Sequence, residues 1–513
     1  MAILNEANTL KKPPRTVRRT GAGPHPWDGD LPTWAVRATL AVALLVRVVD
    51  LNRFGFNGDE AVYSGQAASL AGNPLFVHQF PVFRAHPLLV PTLLSPLFGQ
   101  GSPDVRGRAV MALFGAATVG ASYLVARDLF GRRTGLIAAV ILALMPYHIA
   151  ISRQVLLDGP AVTFTVLSLW MLVRWVHSQR TIWLVASAGT LGLGVLSKET
   201  MVVMAGAMVA FILVSSRVSR PIRALAVALP VLLVVSLALP LALVLAHHGS
   251  TGQNYLAWQL VRSSNHAATF YFTTVAAGIG WGVIAAAGAA LLLRNNRTWR
   301  ELLLAIWVLV PYLFFEIYPL KGYPYVLPAA PAIAVLAARG LLTLRLPKSL
   351  PSRLPSVVYP AVAAALAASI GVGVWHTVFP SAAQAGLAGQ GGIPGGREAG
   401  KWVGSHLVPG NQLMTIGPSM ANIIEYYSHF PAQGISVSTN PLHRNPAYVP
   451  IDNPDLEVRQ GQFAFLVWDT YSADRSPSSA GRLTTLLTRY HASPVHTEMA
   501  AGRPVVVIYQ VHP

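Results

Sequence analysis

Apolar runs recur along most of the chain and are separated by short polar loops. They lie near residues 33–51, 106–126, 134–151, 159–177, 181–196, 200–215, 221–246, 271–293, 301–318, 324–342 and 356–379. A bilayer core about 30 Å thick takes roughly 20 residues of helix at about 1.5 Å per residue. The pattern therefore predicts about eleven membrane spans, some short enough to need tilt or local thinning. The stretch 181–215 is too long for one crossing, and a turn at Ser197, Lys198 and Glu199 predicts two short spans with both charges at a surface. Between the first two runs lies a long loop, about 52–105. Ala61–Leu70 predicts a short helix there, and 86–98, apolar with Pro87, Pro91 and Pro96, predicts a segment lying along the membrane surface or dipping into it. If that segment crosses instead, the count changes.

After residue 379 the pattern changes. An Ala/Gly-rich linker covers 380–396, and helical and strand periods alternate over 397–513. Helices are expected at Glu398–Leu407, Met420–Tyr427 and Arg482–Tyr490, and strands at Leu413–Ile416, Phe463–Trp468 and Val505–Val511. The fold class is thus an α-helical polytopic membrane domain over 33–379, preceded by a polar tail (1–32) and followed by a small α/β domain. No internal repeat or nucleotide-binding fingerprint is visible.

Composition agrees: 53% of the 513 residues are hydrophobic and 11% charged, and cysteine is absent. Disulfides and thiolate metal sites are therefore excluded. A formal charge of +18 would suggest nucleic acid in a soluble protein. Here the cations fall mostly in short loops, which points to membrane orientation and not to nucleic acid. Arg127, Arg132 and Arg133, then Arg174 and Arg180, Arg217, Arg220 and Arg223, Arg294, Arg297 and Arg300, and Arg345, Lys348 and Arg353 occupy every second loop. With the basic tail, these loops are expected in the cytoplasm, and the α/β domain outside. The arginine-, alanine- and glycine-rich composition suggests a bacterial source. The tail lacks the features of a cleavable signal peptide.

The remaining loops carry a different chemistry on the opposite face. They hold Asp59, Glu60, Arg84 and His86, then Arg153 and Asp158, then Lys198 and Glu199, then Arg262 and His266, then Lys321, Tyr323 and Tyr325. Each has a structural alternative. Asn57 can cap the helix that follows, with Glu60 completing a capping box. Arg153 and Asp158 can form a helix-end ion pair, Lys198 and Glu199 a self-neutralising turn, and Lys321 with the tyrosines an interfacial belt. Together they place acids beside cations at one membrane face. That arrangement suits a lipid-linked phosphate leaving group, with Arg and Lys on the phosphate and a carboxylate taking the proton of an attacking hydroxyl.

The ordered segments GDEAVYS (58–64), FRAHPLL (83–89), the run from Arg106 to Pro146, SRQVLLDGP (152–160), GVLSKET (194–200) and YPLKGYPYVLPAAPAIAVLAARGL (318–341) resemble the membrane glycosyltransferases of the GT-C class. The group containing protein O-mannosyltransferases and the aminoarabinose transferase of lipid A is the most similar. The resemblance covers about 50–345 and implies transfer, with inversion, of a sugar from a polyprenyl phosphate to an extracytoplasmic acceptor. It implies Asp59 as base, Glu60 and Asp158 as supporting acids, and Arg84, His86, Lys321, Tyr323 and Tyr325 near the lipid phosphate. Arg153, Lys198, Glu199 and Arg262 join them as substrate-binding candidates. The group as a whole demands no metal or other cofactor. The sequence departs from protein mannosyltransferases in lacking an inserted β-trefoil domain, and Arg84 precedes the His-Pro pair where a lysine usually follows it. Sugar and acceptor stay open. A transporter or flippase would show ionisable residues at helix centres, repeated halves and broken helices; a lipid-headgroup scaffold would use the acids only as caps.

Overall fold

A computed structural model of the chain describes residues 33–82, 87–98, 104–245, 255–262, 264–292, 298–343, 367–380 and 392–512. The tail, Arg84, His86, the first half of the run at 356–379 and most of the linker lie outside the described residues. The helical part comprises α1 (Thr33–Val48), α2 (Gly58–Leu70), α3 (Leu89–Leu94), α4 (Asp104–Phe130), α5 (Arg132–Ala143), α6 (Pro146–Ser152), α7 (Asp158–Ser178), α8 (Thr181–Ser197), α9 (Val202–Val214), α10 (Pro221–Leu245) and α11 (Tyr255–Val261). It continues with α12 (Ala276–Ile279), α13 (Trp281–Leu292), α14 (Trp299–Ile317), α15 (Ala330–Thr343) and α16 (367–378).

Among the described residues, the apolar runs fall mainly on helix. Among the described residues, α4, α7 and Pro221–Ala242 of α10 are each long and apolar enough to cross a bilayer. Two bent pairs bring that number to five: α5 with α6, at 62°, and Tyr271–Ile279 with α13, at 97°. Pro146 begins α6 and cannot continue the ladder of α5. The sharper bend falls at Gly280, whose φ of +98° a side chain would disfavour. Shorter apolar helices, among them Thr181–Ser197 and Glu199–Val214, stand beside these.

α4 and α7 lie parallel. Near their starts the Thr163 hydroxyl donates to the carbonyl of Phe114 at 2.9 Å, and near their ends Trp170 Nε1 donates to Asp128 at 3.0 Å. Asp104 and Asp158 therefore begin neighbouring helices at one rim, while Arg127 and Arg174 gather on Asp128 at the other.

The α/β domain adds α17 (Gly396–His406), α18 (Pro418–Ser428), α19 (Pro454–Arg459), α20 (Thr470–Arg475) and α21 (Pro477–Arg489) to β1 (Gln412–Thr415), β2 (Ala432–Gly434), β3 (Phe463–Asp469), β4 (Ser493–Ala500) and β5 (Arg503–Gln510). The sheet order is β2-β1-β3-β5-β4, parallel from β2 to β3 and antiparallel beyond. Alternation along the strands serves two cores. Leu413, Phe465, Val467, Val506 and Ile508 face α17 and α18, whereas Met414 and Leu466 face α19 and α21. The first core is shared: Phe56, Ala61, Phe76, Phe80 and Met111 of the membrane domain pack into it.

One buried cation fixes the loop after α1. Arg108, on α4, donates through Nε and Nη2 to both oxygens of Glu60, at 2.8 and 2.7 Å. It also holds the carbonyls of Leu51, Phe54 and Gly55 at 2.7–2.9 Å. Tyr427 of α18 completes the join, accepting from Phe56 N–H at 2.8 Å and donating to Asp104 at 2.5 Å. Arg397 clasps Asn52 at 2.9 Å.

Breaking a buried pair by removing one partner costs about 3–5 kcal/mol. Arg108→Met is therefore expected to lower the unfolding midpoint of the solubilised protein sharply, measured by thermal unfolding. In the α/β domain, burial pushes the Glu425 carboxyl up to about 8 against the opposing Ala432 N–H bond. The folded chain then holds this proton more tightly than the unfolded chain does. That stabilisation is full below the ordinary glutamate range and is lost as pH rises through about 8. The unfolding midpoint should fall as pH rises from the ordinary glutamate range to about 8 and level off above it, and Glu425→Gln should flatten that fall.

Candidate functional site

The rim site starts at the N-terminus of α2. Asn57 Oδ1 accepts from Glu60 N–H at 2.9 Å and Glu60 accepts from Asn57 N–H at 3.2 Å, a reciprocal capping box. Gly58 opens the helix where α18 comes close: a Cβ there would sit 2.9 Å from the Cα of Ser419. Glu60 is fully buried, and Val155 N–H adds a fourth donor to its carboxylate, at 3.0 Å. Asp59, the next residue toward the N-terminus, is exposed. The two adjacent acids thus have opposite surroundings: one is sealed under Arg108, the other open to solvent at a helix N-terminus, where negative charge is favoured.

Tyr63 stands one turn further along α2. Burial pushes its phenol well above the ordinary tyrosine range, and the negative charges of Asp59, Glu199 and Asp158 push the same way. Three acids from α2, α7 and the turn after α8 therefore share one electrostatic neighbourhood. The Lys198 ammonium reaches both oxygens of Asp158, at 2.9 and 2.8 Å, and lies 5.1 Å from the centre of the Tyr325 ring. Glu199 accepts from the Tyr255 hydroxyl at 3.2 Å, which in turn accepts from Gln259 at 2.6 Å. Tyr318 donates to the Gln259 carbonyl at 2.8 Å. Arg262, on the same segment, stacks over Trp258 at 4.4 Å.

The α/β domain closes the other side. Tyr448 accepts from Asn422 at 3.0 Å. Burial pushes its phenol up to about 12; Asn422 opposes this, Asp59 adds to it and Arg262 opposes it. Asp59 and Arg262 thus act on one phenol in opposite directions.

Other candidates are placed elsewhere. Arg153 donates to the carbonyls of Val46 and Arg47, at 2.9 and 3.4 Å, and closes the end of α1. It lines a separate cleft with Asp50, Arg53, Gln154 and Thr377. Lys321 is buried, and its ammonium points to the Glu316 carbonyl at 2.8 Å. The Tyr323 ring meets that of Tyr147 edge-on at 5.0 Å, and the Tyr323 carbonyl accepts the Tyr147 hydroxyl at 2.7 Å. Residue types alone did not single out Arg108, Tyr63, Tyr255, Tyr448, Tyr471 or Arg475. Only Arg108 carried a signal, as a charge one turn inside an apolar run.

This helical bundle with its sheet domain has the GT-C fold. It superposes on ArnT from Cupriavidus metallidurans bound to undecaprenyl phosphate with a TM-score of 0.66 at 19% identity, covering 93% of this chain and 98% of that one. It superposes on the archaeal oligosaccharyltransferase AglB from Archaeoglobus fulgidus at 0.55 and 14% identity, covering 92% and 74%. In sequence, the dolichyl-phosphate-mannose-protein mannosyltransferase profile matches residues 85–243. Two provisionally named mannosyltransferases of Bacillus subtilis (strain 168) are also similar. YkcB is 31% identical over 133 residues, 25% of this chain and 19% of YkcB. YycA is 28% identical over 170 residues, 33% of this chain and 24% of YycA. The matched stretches thus span about a quarter or less of those relatives.

The Asp158–Lys198 pair is nearly buried, with side chains 3% and 12% exposed. Removing either partner strands the other, at about 3–5 kcal/mol. Lys198→Met and Asp158→Leu should each lower the unfolding midpoint, and the double variant should recover most of the loss in a thermal-unfolding double-mutant cycle.

Proposed function

We propose that the chain is an integral-membrane glycosyltransferase that moves a sugar from a polyprenyl phosphate to an acceptor on the extracytoplasmic side. The observation that carries the proposal is the exposed carboxylate of Asp59 sharing a rim with Arg262, Lys198 and a set of phenols. The GT-C fold and the solved relative bound to undecaprenyl phosphate support the choice of donor.

In this mechanism Asp59 takes the acceptor's hydroxyl proton while the oxygen attacks the anomeric carbon and the phosphate leaves from the opposite face. The base must lie within hydrogen-bond reach of that proton. In this scheme Arg262 and Lys198 stabilise the charge growing on the leaving phosphate. Glu60 and Asp158 act by position: Glu60 holds the start of α2 against Arg108, and Asp158 aims the Lys198 ammonium. Arg84 and His86 precede the described part of the outer-loop segment and are assigned to the donor phosphate. Lys321, Tyr323, Tyr325 and Glu199 shape the wall behind it. The basic loops are assigned to the cytoplasm and the α/β domain to the outer side. The bends before Pro146 and at Gly280 would also suit a flippase of lipid-linked sugars. The gathering of charge at one rim favours transfer.

General-base catalysis supplies roughly 10²–10⁴-fold. Asp59→Asn is expected to cut transfer from radiolabelled polyprenyl-phosphate sugars by that factor while polyprenyl-phosphate binding stays intact. Unchanged transfer by a folded Asp59→Asn variant would overturn the assignment. Failure of every polyprenyl-phosphate sugar to be consumed would overturn the activity.

A further inference from the structure

The α/β domain places three polar side chains over the rim. Residues 441–443 pack on α11, and α18 packs on α2, meeting its start where Gly58 faces Ser419. Tyr448, half-buried, hangs from α18 through Asn422 at 3.0 Å. On α20, Arg475 donates to the Tyr471 hydroxyl at 2.7 Å, and its guanidinium lies 5.2 Å from that ring's centre. Tyr471, also half-buried, feels the charge of Asp59. Arg475 itself is exposed and lies within electrostatic reach of His266. His266 belongs to the helical bundle, where it stacks on Phe270 at 4.2 Å. Tyr471 packs on the core shared by Phe56 and Ala61, so the Arg475–Tyr471 pair stands on the domain side of α2.

Among the described residues, no carboxylate lies within ion-pair distance of the Arg475 guanidinium. An i,i+4 Arg–Tyr contact is common on helix surfaces. This one differs because its hydroxyl shares the neighbourhood of an exposed acid assigned as the base. The two sides of the mouth are chemically distinct. A polyprenyl carrier stays anchored in the bilayer, so cations borne by the helical bundle suit its phosphate. Cations borne by the outer domain face whatever arrives from the aqueous side.

We propose that Tyr448, Tyr471 and Arg475 form the acceptor half of the site and select an acceptor whose reacting hydroxyl has an anionic group, phosphate or carboxylate, close by. The inference rests on the assignment of Asp59 as base. In the transfer step the acceptor oxygen forms a bond to the anomeric carbon, and the bond from that carbon to the phosphate oxygen breaks. The electron pair leaves with the phosphate, and the hydroxyl proton passes to Asp59. The Arg475 guanidinium pairs with the acceptor's anion by charge-assisted hydrogen bonds, and the two phenols orient the hydroxyl. Arg475 is a specificity residue in this scheme and touches no part of the donor.

The test uses the full chain in nanodiscs with the polyprenyl-phosphate sugar that the transfer assay identifies. Acceptors are offered as matched sets: glycerol against glycerol 1-phosphate, and glucose against glucuronic acid and glucose 6-phosphate. The expected result is at least a tenfold preference in kcat/KM for the anionic members, with the phosphate and carboxylate arms showing which anion is taken. Arg475→Gln should abolish the preference by raising KM for the anionic members. Its affinity for free polyprenyl phosphate, read by intrinsic tryptophan fluorescence, should stay within twofold. Arg475→Lys should restore part of the preference, and unfolding midpoints confirm that both variants fold. Equal use of neutral and anionic acceptors, or an unchanged KM in a folded Arg475→Gln variant, overturns the inference. A large loss of polyprenyl-phosphate affinity in that variant also overturns it, by moving Arg475 to the donor side. Donor consumption without transfer to any member overturns the acceptor assignment alone, whereas no donor consumption removes the glycosyltransferase assignment and this one together.

Discussion

The rim depends on one guanidinium. Arg108 satisfies both oxygens of Glu60 and three backbone carbonyls, so the chain between α1 and α2 has little freedom left. A buried ion pair is a weak source of stability against a well-packed apolar alternative, because desolvation offsets much of the attraction. What it provides here is geometry. Glu60 holds the first turn of α2 through its capping box and reaches the α6–α7 connection through Val155 N–H. Glu60 is fully committed to these partners, while its neighbour Asp59 in the same first turn is exposed.

The same logic organises the second acid. Asp158 begins α7 and Lys198 ends α8, and their contact joins two helix termini across 40 positions of sequence. Lys198 is then presented to the rim with its charge already oriented. Tyr63, Tyr255, Tyr318 and Tyr325 surround this cluster. Phenols can donate or accept without carrying charge at neutral pH. They suit a site that must hold hydroxyl-rich ligands beside several carboxylates without adding to the repulsion.

Much of this was legible in residue order, and the remainder was not, for one physical reason. Patterns that act within one or two turns are visible: the capping of α2 by Asn57 and Glu60, the break at Ser197–Glu199 and the strand–helix alternation after 396 all follow from local chemistry, whereas the bend before Pro146 falls inside what reads as one apolar run. Pairing across the bundle is not local. The sequence suggests Arg153 with Asp158 and Lys198 with Glu199, because those are neighbours. Folding instead gives Asp158 to Lys198, Glu199 to Tyr255, and Arg153 to the carbonyls that end α1. Arg108 and Glu60 are likewise 48 positions apart. Tyr448, Tyr471 and Arg475 lie in a domain whose periodicity reveals strands and helices but not which loop faces the bilayer.

The core shared by Phe56, Phe76 and Phe80 with Val403, Met420 and Tyr426 sets how the molecule can move. A domain joined only by a linker swings as a rigid cap, because nothing dry must be torn open. Here any swing would wet a continuous aromatic cluster, including the Phe56–Tyr426 contact at 5.0 Å and the Phe76–Tyr426 contact at 5.3 Å. Hinged lifting of the domain is therefore costly. The segment between α1 and α4 and the C-terminal sheet, far apart in the chain, share one core.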